Sequence, residues 1–392
     1  MDRIYLSEAK LKGYRTIKDL SVKFNPGLNI IIGKNGSGKT NFLTYLDKAI
    51  TYDYNDIFNS ITYLKFDGRI NFEVNVSKDA TLGNLTSHST LAQLGNIKAK
   101  YELKINGDEI EPNYAYQNLT SNNELNFNSI FITHGIRSND NNFIIASPFS
   151  FEYLNFVNEL FPSALNRSNP FFLRSVLFDL SMNLFEFEEE KLLLHKNTEY
   201  IQQFVLKSLN YYCDYINESI GEYLPIERIR ISSSLKVYKE QDSIKVDNII
   251  LEYYVNNFWL PFSSLSDGTK RMFCIYSDVI ATLSLDDTLP ANDKIILLEE
   301  PELGIHPHQF EQIMTFLKKM SKDVQIILTT HSPQALDILS KDELDALHIC
   351  EYHPETGTTL TSLSEGQIDK AKAYMDSEMY LSDYWRYSDL EK

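Results

Sequence analysis

Residues 28–40 read LNIIIGKNGSGKT, and this stretch decides what the rest of the chain can be. Leu28 to Ile32 are a short apolar run bounded by Pro26-Gly27 before it and Gly33 behind it, the pattern of a buried strand. Gly33 to Thr40, GKNGSGKT, fit G-x-x-x-x-G-K-[ST], and a helix is expected from Lys39 through Ile50. Glycines at 36 and 38 let successive backbone N–H groups turn inward on a polyphosphate with no Cβ in the way, and the new helix adds its positive end. In such a loop Asn35, Gly36, Ser37, Gly38, Lys39, Thr40 and Asn41 surround the phosphates. Lys39 reaches the β- and γ-phosphates, and the Thr40 hydroxyl ligates Mg²⁺.

Two further apolar runs end in polar residues. KIILLEEPELGIHP at 294–307 is a buried strand closing on Glu299 and Glu300, at the carboxyl end where parallel strands converge on ligand. Glu299 would hold Mg²⁺ through water, and Glu300 would orient or deprotonate the water that attacks the γ-phosphate. Taken alone, two adjacent acids serve as well to end a strand in solvent. VQIILTTHSP at 324–333 supplies a third strand whose polar end places His331 to hydrogen-bond the γ-phosphate. A lone histidine is usually structural; this one gains weight from its company.

FSSLSDGTKRMF at 262–273 places Ser266 and Gly268 at the start of an apolar helix, a second anion-binding corner. One chain offers no second phosphate for it. The economical arrangement is that Ser266 and Gly268 cap, in trans, the γ-phosphate held on the loop of a second subunit, in a two-fold pair of shared sites.

Between these blocks the patterns change. RINFEVNV at 69–76 and IKAKYELKI at 97–105 alternate strictly, the latter running into Asn106-Gly107, a hairpin turn; this is half-exposed antiparallel sheet. From about Phe149 to Tyr223 apolar residues fall at helical spacing, as in FEYLNFVNELF and EYIQQFVLKSLNYYCDYI, which indicates an inserted helical lobe too short for long heptad arms. The expected organisation is 1–135 with the phosphate loop and antiparallel sheet, 136–230 as helical insertion, 231–340 with the remaining motifs, and 341–392 as a hairpin, ALHICEY and GTTLTSL, followed by an acidic helical end. Asp376, Glu378, Asp383 and Asp389 in that end sit among helical residues and are read as a solvated face rather than a metal centre.

Taken in this order, GKNGSGKT, LSDGTKR, LLEEPELGIHP and TTHSP resemble an ABC-type ATPase of the SMC/RecF class, and more narrowly the bacterial AAA_15/AAA_21 ATPases related to the overcoming-lysogenization-defect (OLD) family; the opening LKGYRTIKDLSVKFNPGLNIIIGKNG has the same look. The resemblance implies an α/β P-loop NTPase fold, an SMC-like head with an antiparallel β subdomain and a helical insertion. It also implies ATP as ligand with Mg²⁺, Walker A at Asn35–Thr40, the signature at Leu265–Arg271, Walker B at Glu299-Glu300, a D-loop region at Gly304–His306, and His331 as the switch histidine. Lys39, Glu300 and His331 would then act in catalysis, with Thr40 and Glu299 on the metal. The chain departs from the family pattern at Glu299, where Asp is usual, and at Asp267, where a second glycine is usual. For the Q-loop, Gln117 and the strand end near His134 are the two candidates.

The family implies work in antiviral defence, beside or fused to a nuclease often of the Toprim type. The expectation is a homodimer or higher even-numbered oligomer that senses or scaffolds, and controls a separately encoded effector. The alternative is a RecF-like ATPase that clamps DNA. A net charge of −17 opposes nonspecific adhesion to DNA or anionic membrane, while a local basic groove for nucleic acid stays compatible with it. With 43% hydrophobic residues, 24 Tyr and 23 Phe, the chain has the composition of a globular protein. Cys213, Cys274 and Cys350 lie far apart, without zinc-site spacing, and no stretch approaches the roughly 20 apolar residues of a membrane span. A cytoplasmic location is expected.

Overall fold

Whether a strand is buried on one face or on both decides where it lies in this protein. The structure is a computed structural model that describes residues 4–50, 60–68, 71–78, 99–105, 108–110, 133–135, 198–239, 244–247, 250–284 and 295–387. FEYLNFVNELF, Asn106-Gly107, Gln117 and Asp389 lie outside the described residues. By its contacts the chain divides into two units, one of Met1–Gly135, Asp287–Glu302 and Leu317–Lys392, the other of Ile136–Asp286 and Leu303–Phe316.

The first unit is built on one large sheet. Its described strands are β1 (Tyr5–Tyr14), β2 (Ile17–Lys23), β3 (Leu28–Ile32), β4 (Ile61–Asp67), β5 (Phe72–Lys78), β6 (Ala99–Ile105), β7 (Asp108–Ile110), β8 (Thr133–Gly135), β14 (Ile295–Glu299), β15 (Gln325–Thr330), β16 (Leu347–His353) and β17 (Gly357–Ser362). Across the sheet they run β7-β6-β5-β4-β1-β2-β17-β16-β3-β15-β14-β8. The wing from β7 to β2 is antiparallel, and β1 buries only Leu6, Ala9, Leu11 and Tyr14 on its inward side. The strictly alternating segments expected as half-exposed sheet supply β5 and β6, and Ile105 of β6 opposes Asp108 of β7.

At the other end β3, β15, β14 and β8 are parallel, and every residue of β3 and β15 is buried. Continuous apolar runs are what a parallel strand covered on both faces requires. Register places Ile32 beside Thr330 and Glu299 beside Thr329, so the carboxyl ends of three neighbouring strands finish together. Helix α1 (Lys39–Ile50) buries Phe42, Leu43, Tyr45, Leu46 and Ala49 at helical spacing, in one apolar cluster with Leu11, Leu20, Ile31, Phe66, Leu297, Ile327 and Leu360. Each such side chain contributes about 1.5–3 kcal/mol by leaving water.

Two features join distant chain segments within this unit. Gln325, fully buried, donates from Nε2 to the Leu6 and Asn25 carbonyls at 2.9 and 2.8 Å and accepts the Leu6 N–H at 2.9 Å. Second, the hairpin of β16 and β17 enters the sheet itself: β16 pairs parallel with β3, and β17 pairs antiparallel with β2 through Gly357 opposite Ile17. Beyond the hairpin, Asp376 pairs with Lys341, and Asp383 lies 3.9 Å from Arg386, as charges on a solvated face do.

The described part of the second unit contains α2 (Thr198–Asn217), the turn α3 (Ile220–Tyr223), a sheet in the order β13-β12-β9, a hairpin of β10 (Lys236–Lys239) and β11 (Ile244–Asp247), and α4 (Asp267–Ser284). In the three-stranded sheet β9 is Arg228–Ile231, β12 Leu251–Val255 and β13 Phe258–Pro261. Within the expected 136–230 insertion the described residues hold α2, α3 and the start of β9; α2 buries Ile201, Val205, Leu209, Cys213 and Ile216. It is stitched to β9 by Asn217, whose amide exchanges bonds of 2.7 and 2.9 Å with the Ile229 backbone. Tyr253 meets Phe273 edge-on at 4.9 Å and Phe262 at 5.6 Å beneath the start of α4. The cysteines are buried and form no disulfide, and burial pushes the thiols of Cys213 and Cys350 up to about 12 and about 11, which disfavours the reactive thiolate.

Candidate functional site

The loop between β3 and α1 is shaped by its glycines and by what crowds them. Gly36 and Gly38 take φ of +82° and +102°, a region costly to any residue with a Cβ. Around Gly36 there is open space, whereas a Cβ on Gly38 would stand 2.0 Å from Thr358 Oγ1, and one on Gly33 2.2 Å from the Cys350 carbonyl oxygen. The β16–β17 hairpin therefore backs the loop directly. Thr358 Oγ1 lies 3.2 Å from the Ser37 carbonyl oxygen and 2.8 Å from Thr16 Oγ1, and the Cys350 thiol donates to the Ser37 carbonyl at 3.6 Å. Asn41 joins the same network, donating from Nδ2 to Thr16 Oγ1 at 2.8 Å and accepting from Arg15 at 3.3 Å.

Lys39 is buried, and its ammonium donates to the carbonyls of Gly33 and Lys34 at 2.8 and 3.1 Å. A buried ammonium requires acceptors, and here the loop's own backbone supplies them. One residue on, Thr40 Oγ1 donates to Glu299 Oε1 at 2.5 Å, across from α1 to the end of β14. A hydroxyl and a carboxylate brought together beside a phosphate loop are the hard oxygen donors that suit Mg²⁺, so the residues present fit that ion.

Glu300 follows with φ +44°, its N–H donating to the Thr329 carbonyl at 2.8 Å. A non-glycine residue held in the left-handed region is a strained position of the kind that clusters at functional sites. Its Oε1 lies 3.6 Å from His331 Nδ1. Glu302 was not singled out in the sequence as an organiser, yet its Oε1 accepts from Thr330 Oγ1 at 2.6 Å and from the His331 N–H at 2.9 Å, and stands 3.1 Å from His331 Nδ1. The sequence signal for it was the polar end of β15 placed next to an acidic loop, visible only once the two strands are known to be neighbours. Of the two Q-loop candidates, His134 belongs to edge strand β8, parallel to β14.

The 266–268 corner lies in the second unit. Ser266 caps α4: its Oγ accepts the Thr269 N–H at 3.1 Å and lies 2.8 Å from the Thr269 hydroxyl. The N–H groups of Asp267 and Gly268 have no partner inside the helix, as first-turn donors do not. A Cβ on Gly268 would stand 2.7 Å from the Gly304 carbonyl oxygen, so this glycine permits close approach of the 304–305 turn, where Gly304 has φ +72°. Lys270 turns back to Asp267 at 3.1 Å.

Comparison with known proteins gives three kinds of likeness. The sequence model of the family AAA_21, described as an AAA domain, putative AbiEii toxin, type IV TA system, matches residues 28–337. The chain is 26% identical over 176 residues to the retron Vc95 probable ATPase of Vibrio cholerae serotype O1 biovar El Tor, a match covering 42% of this chain but only 34% of that protein's length. It is 21% identical to the DNA replication and repair protein RecF of Streptococcus agalactiae serotype V, over 89% of this chain and 97% of RecF. Among solved structures, the SMC head bound to the C-winged-helix domain of ScpA superposes with a TM-score of 0.52 at 12% identity, covering 93% of this chain and 99% of that one. The last likeness establishes the fold: a P-loop head of the SMC kind. No described helix is long and apolar enough to cross a membrane.

Proposed function

We propose, from the premise that this chain belongs to the AAA_21 family of SMC/RecF/ABC-like ATPases, that it binds Mg·ATP between two copies of itself and hydrolyses it to ADP and phosphate. The observation that carries this reading is the meeting of three strand ends, which gathers Lys39, Thr40, Glu299, Glu300 and His331 at one place, with Thr40 and Glu299 2.5 Å apart.

In this reading the backbone N–H groups from Asn35 to Asn41 turn onto the phosphates, and Lys39 exchanges the Gly33 and Lys34 carbonyls for β- and γ-phosphate oxygens. Thr40 and Glu299 would hold Mg²⁺, which would supply charge neutralisation at the phosphates. Glu300 orients the attacking water and takes its proton as the bond to phosphorus forms. His331 hydrogen-bonds the γ-phosphate, and Ser266 with Gly268 of the second copy seals it through the start of α4. Glu300→Gln tests this chemistry. Turnover is expected to fall about 10²–10⁴-fold while an ATP-dependent dimer accumulates in light scattering. Fast hydrolysis by that variant would move the base to Glu299 or Glu302.

For the purpose of turnover, likeness to a retron ATPase and membership in a family described by a toxin system support a sensor or scaffold in antiviral defence, whose nucleotide state holds or releases a separately encoded nuclease or toxin. Affinity capture from the native host with ATP should recover a co-encoded partner, and capture of none counts against it. The match along nearly all of RecF favours a second reading, a DNA clamp. ATP-dependent DNA binding with a steep salt dependence would select it, against the −17 charge of the chain.

A further inference from the structure

Glu302 lies outside the pair of acids that end β14, yet three donor groups converge on it. Its side chain is 9% exposed, and one oxygen, Oε1, gathers the Thr330 hydroxyl, the His331 backbone N–H and the His331 ring. The other oxygen, Oε2, is buried and meets no donor among the described residues, so the whole clamp hangs on a single atom. A carboxylate only accepts hydrogen bonds, and an approach of 3.1 Å to His331 Nδ1 is favourable only when that nitrogen carries the proton. Thr330 Oγ1, held by Glu302, also receives the Ser332 N–H at 2.9 Å, which fixes the backbone on both sides of the histidine.

We infer that Glu302 is the positioning residue of the γ-phosphate contact: it sets the His331 tautomer with the proton on Nδ1, fixes the ring plane, and leaves Nε2 as the nitrogen that reads the terminal phosphate. This rests on the ATPase reading given above. The carboxylate orients the imidazole through Nδ1, so Nε2 is the nitrogen left to share a proton with a phosphate oxygen. Glu300, 3.6 Å from the same Nδ1, is left to the water. Loss of the clamp would therefore weaken the contact to the third phosphate chiefly in the transition state, while sparing the contacts that bind the nucleotide.

The test uses the full chain with ATP and ADP. In Glu302→Ala, kcat should fall about 10–100-fold, the usual cost of losing a partner that orients a functional histidine, with the KM for ATP moving less than about threefold and ADP affinity unchanged. Glu302→Gln, which keeps an acceptor oxygen in place, should recover a large part of the loss. A drop in ATP and ADP affinity together would mark a merely structural role and overturn the inference. Nitrogen spectra of histidine-labelled wild-type protein give an independent reading: His331 must show its proton on Nδ1, and a neutral ring protonated on Nε2 would overturn the inference even if the alanine variant does not fold. Wild-type protein that neither binds nor hydrolyses ATP would instead sink the ATPase reading.

Discussion

The glycines of the phosphate loop and the glycine of the 266–268 corner are crowded by different parts of the chain. Gly33 and Gly38 are backed by Cys350 and Thr358, more than three hundred positions away in sequence. Gly268 is backed by the 304–305 turn and sits behind a serine that caps its own helix. One corner is a loop whose shape is imposed from outside; the other is a helix start that largely shapes itself. Both stand at the start of a helix, so they are alike in what they can hold and unlike in what keeps them ready. Damage to the first should spread into the sheet, and damage to the second should stay local.

The largest effect tests whether the two corners serve one site. Lys39→Ala and Ser266→Arg should each remove turnover by about 100-fold or more, the scale of losing a charge-stabilising donor or blocking its approach. Mixed together, the two variants should regain activity, because a heterodimer pairs the intact loop of one chain with the intact corner of the other. An ATPase assay on the mixture that stays silent at every ratio breaks the idea of sharing.

A smaller effect separates imposed shape from strain. Gly36→Ala meets only its positive φ and should cost about 1–2 kcal/mol in denaturant unfolding. Gly38→Ala meets the same strain and also the Thr358 side chain, which adds about 1–3 kcal/mol of overpacking. Combining Gly38→Ala with Thr358→Ala removes Oγ1 and Cγ2 but leaves the Thr358 Cβ 2.9 Å away, so it should return part of the added cost and leave the strain; strict additivity of the two substitutions would deny that the hairpin presses on the loop. Smallest is Ser266→Ala, which removes the cap of α4 and should cost about 0.5–2 kcal/mol. A loss well beyond that in thermal unfolding would show that this corner, too, is propped from afar.

The contrast also explains how much the sequence could say. The loop and its helix were legible because LNIII and GKNGSGKT carry both burial and conformation within thirteen residues. Helix α2 and the alternating strands β5 and β6 were legible for the same reason, since their periods are local. ALHICEY and GTTLTSL were readable as a hairpin, but residues 346–363 hold no record that its partners are β2 and β3. Glu302 was hidden likewise: PEL after two acids looks like the continuation of a loop, and only the parallel register of β14 with β15 brings Thr330 and His331 to it. Long-range pairing, rather than residue type, is what the linear reading lacked.

The late hairpin has a consequence for biosynthesis. Cys350 stands 313 positions after Ser37, which at common translation rates is a wait of roughly 15–60 s between the emergence of the phosphate loop and of the segment that braces it. Through that interval β3 has an unpaired edge where β16 will dock, and an apolar edge of this kind invites wrong partners. Nascent chains should therefore acquire nucleotide affinity only once this hairpin has emerged, and ribosome-stalled chains ending before residue 347 should need chaperone cover that chains carrying the hairpin do not.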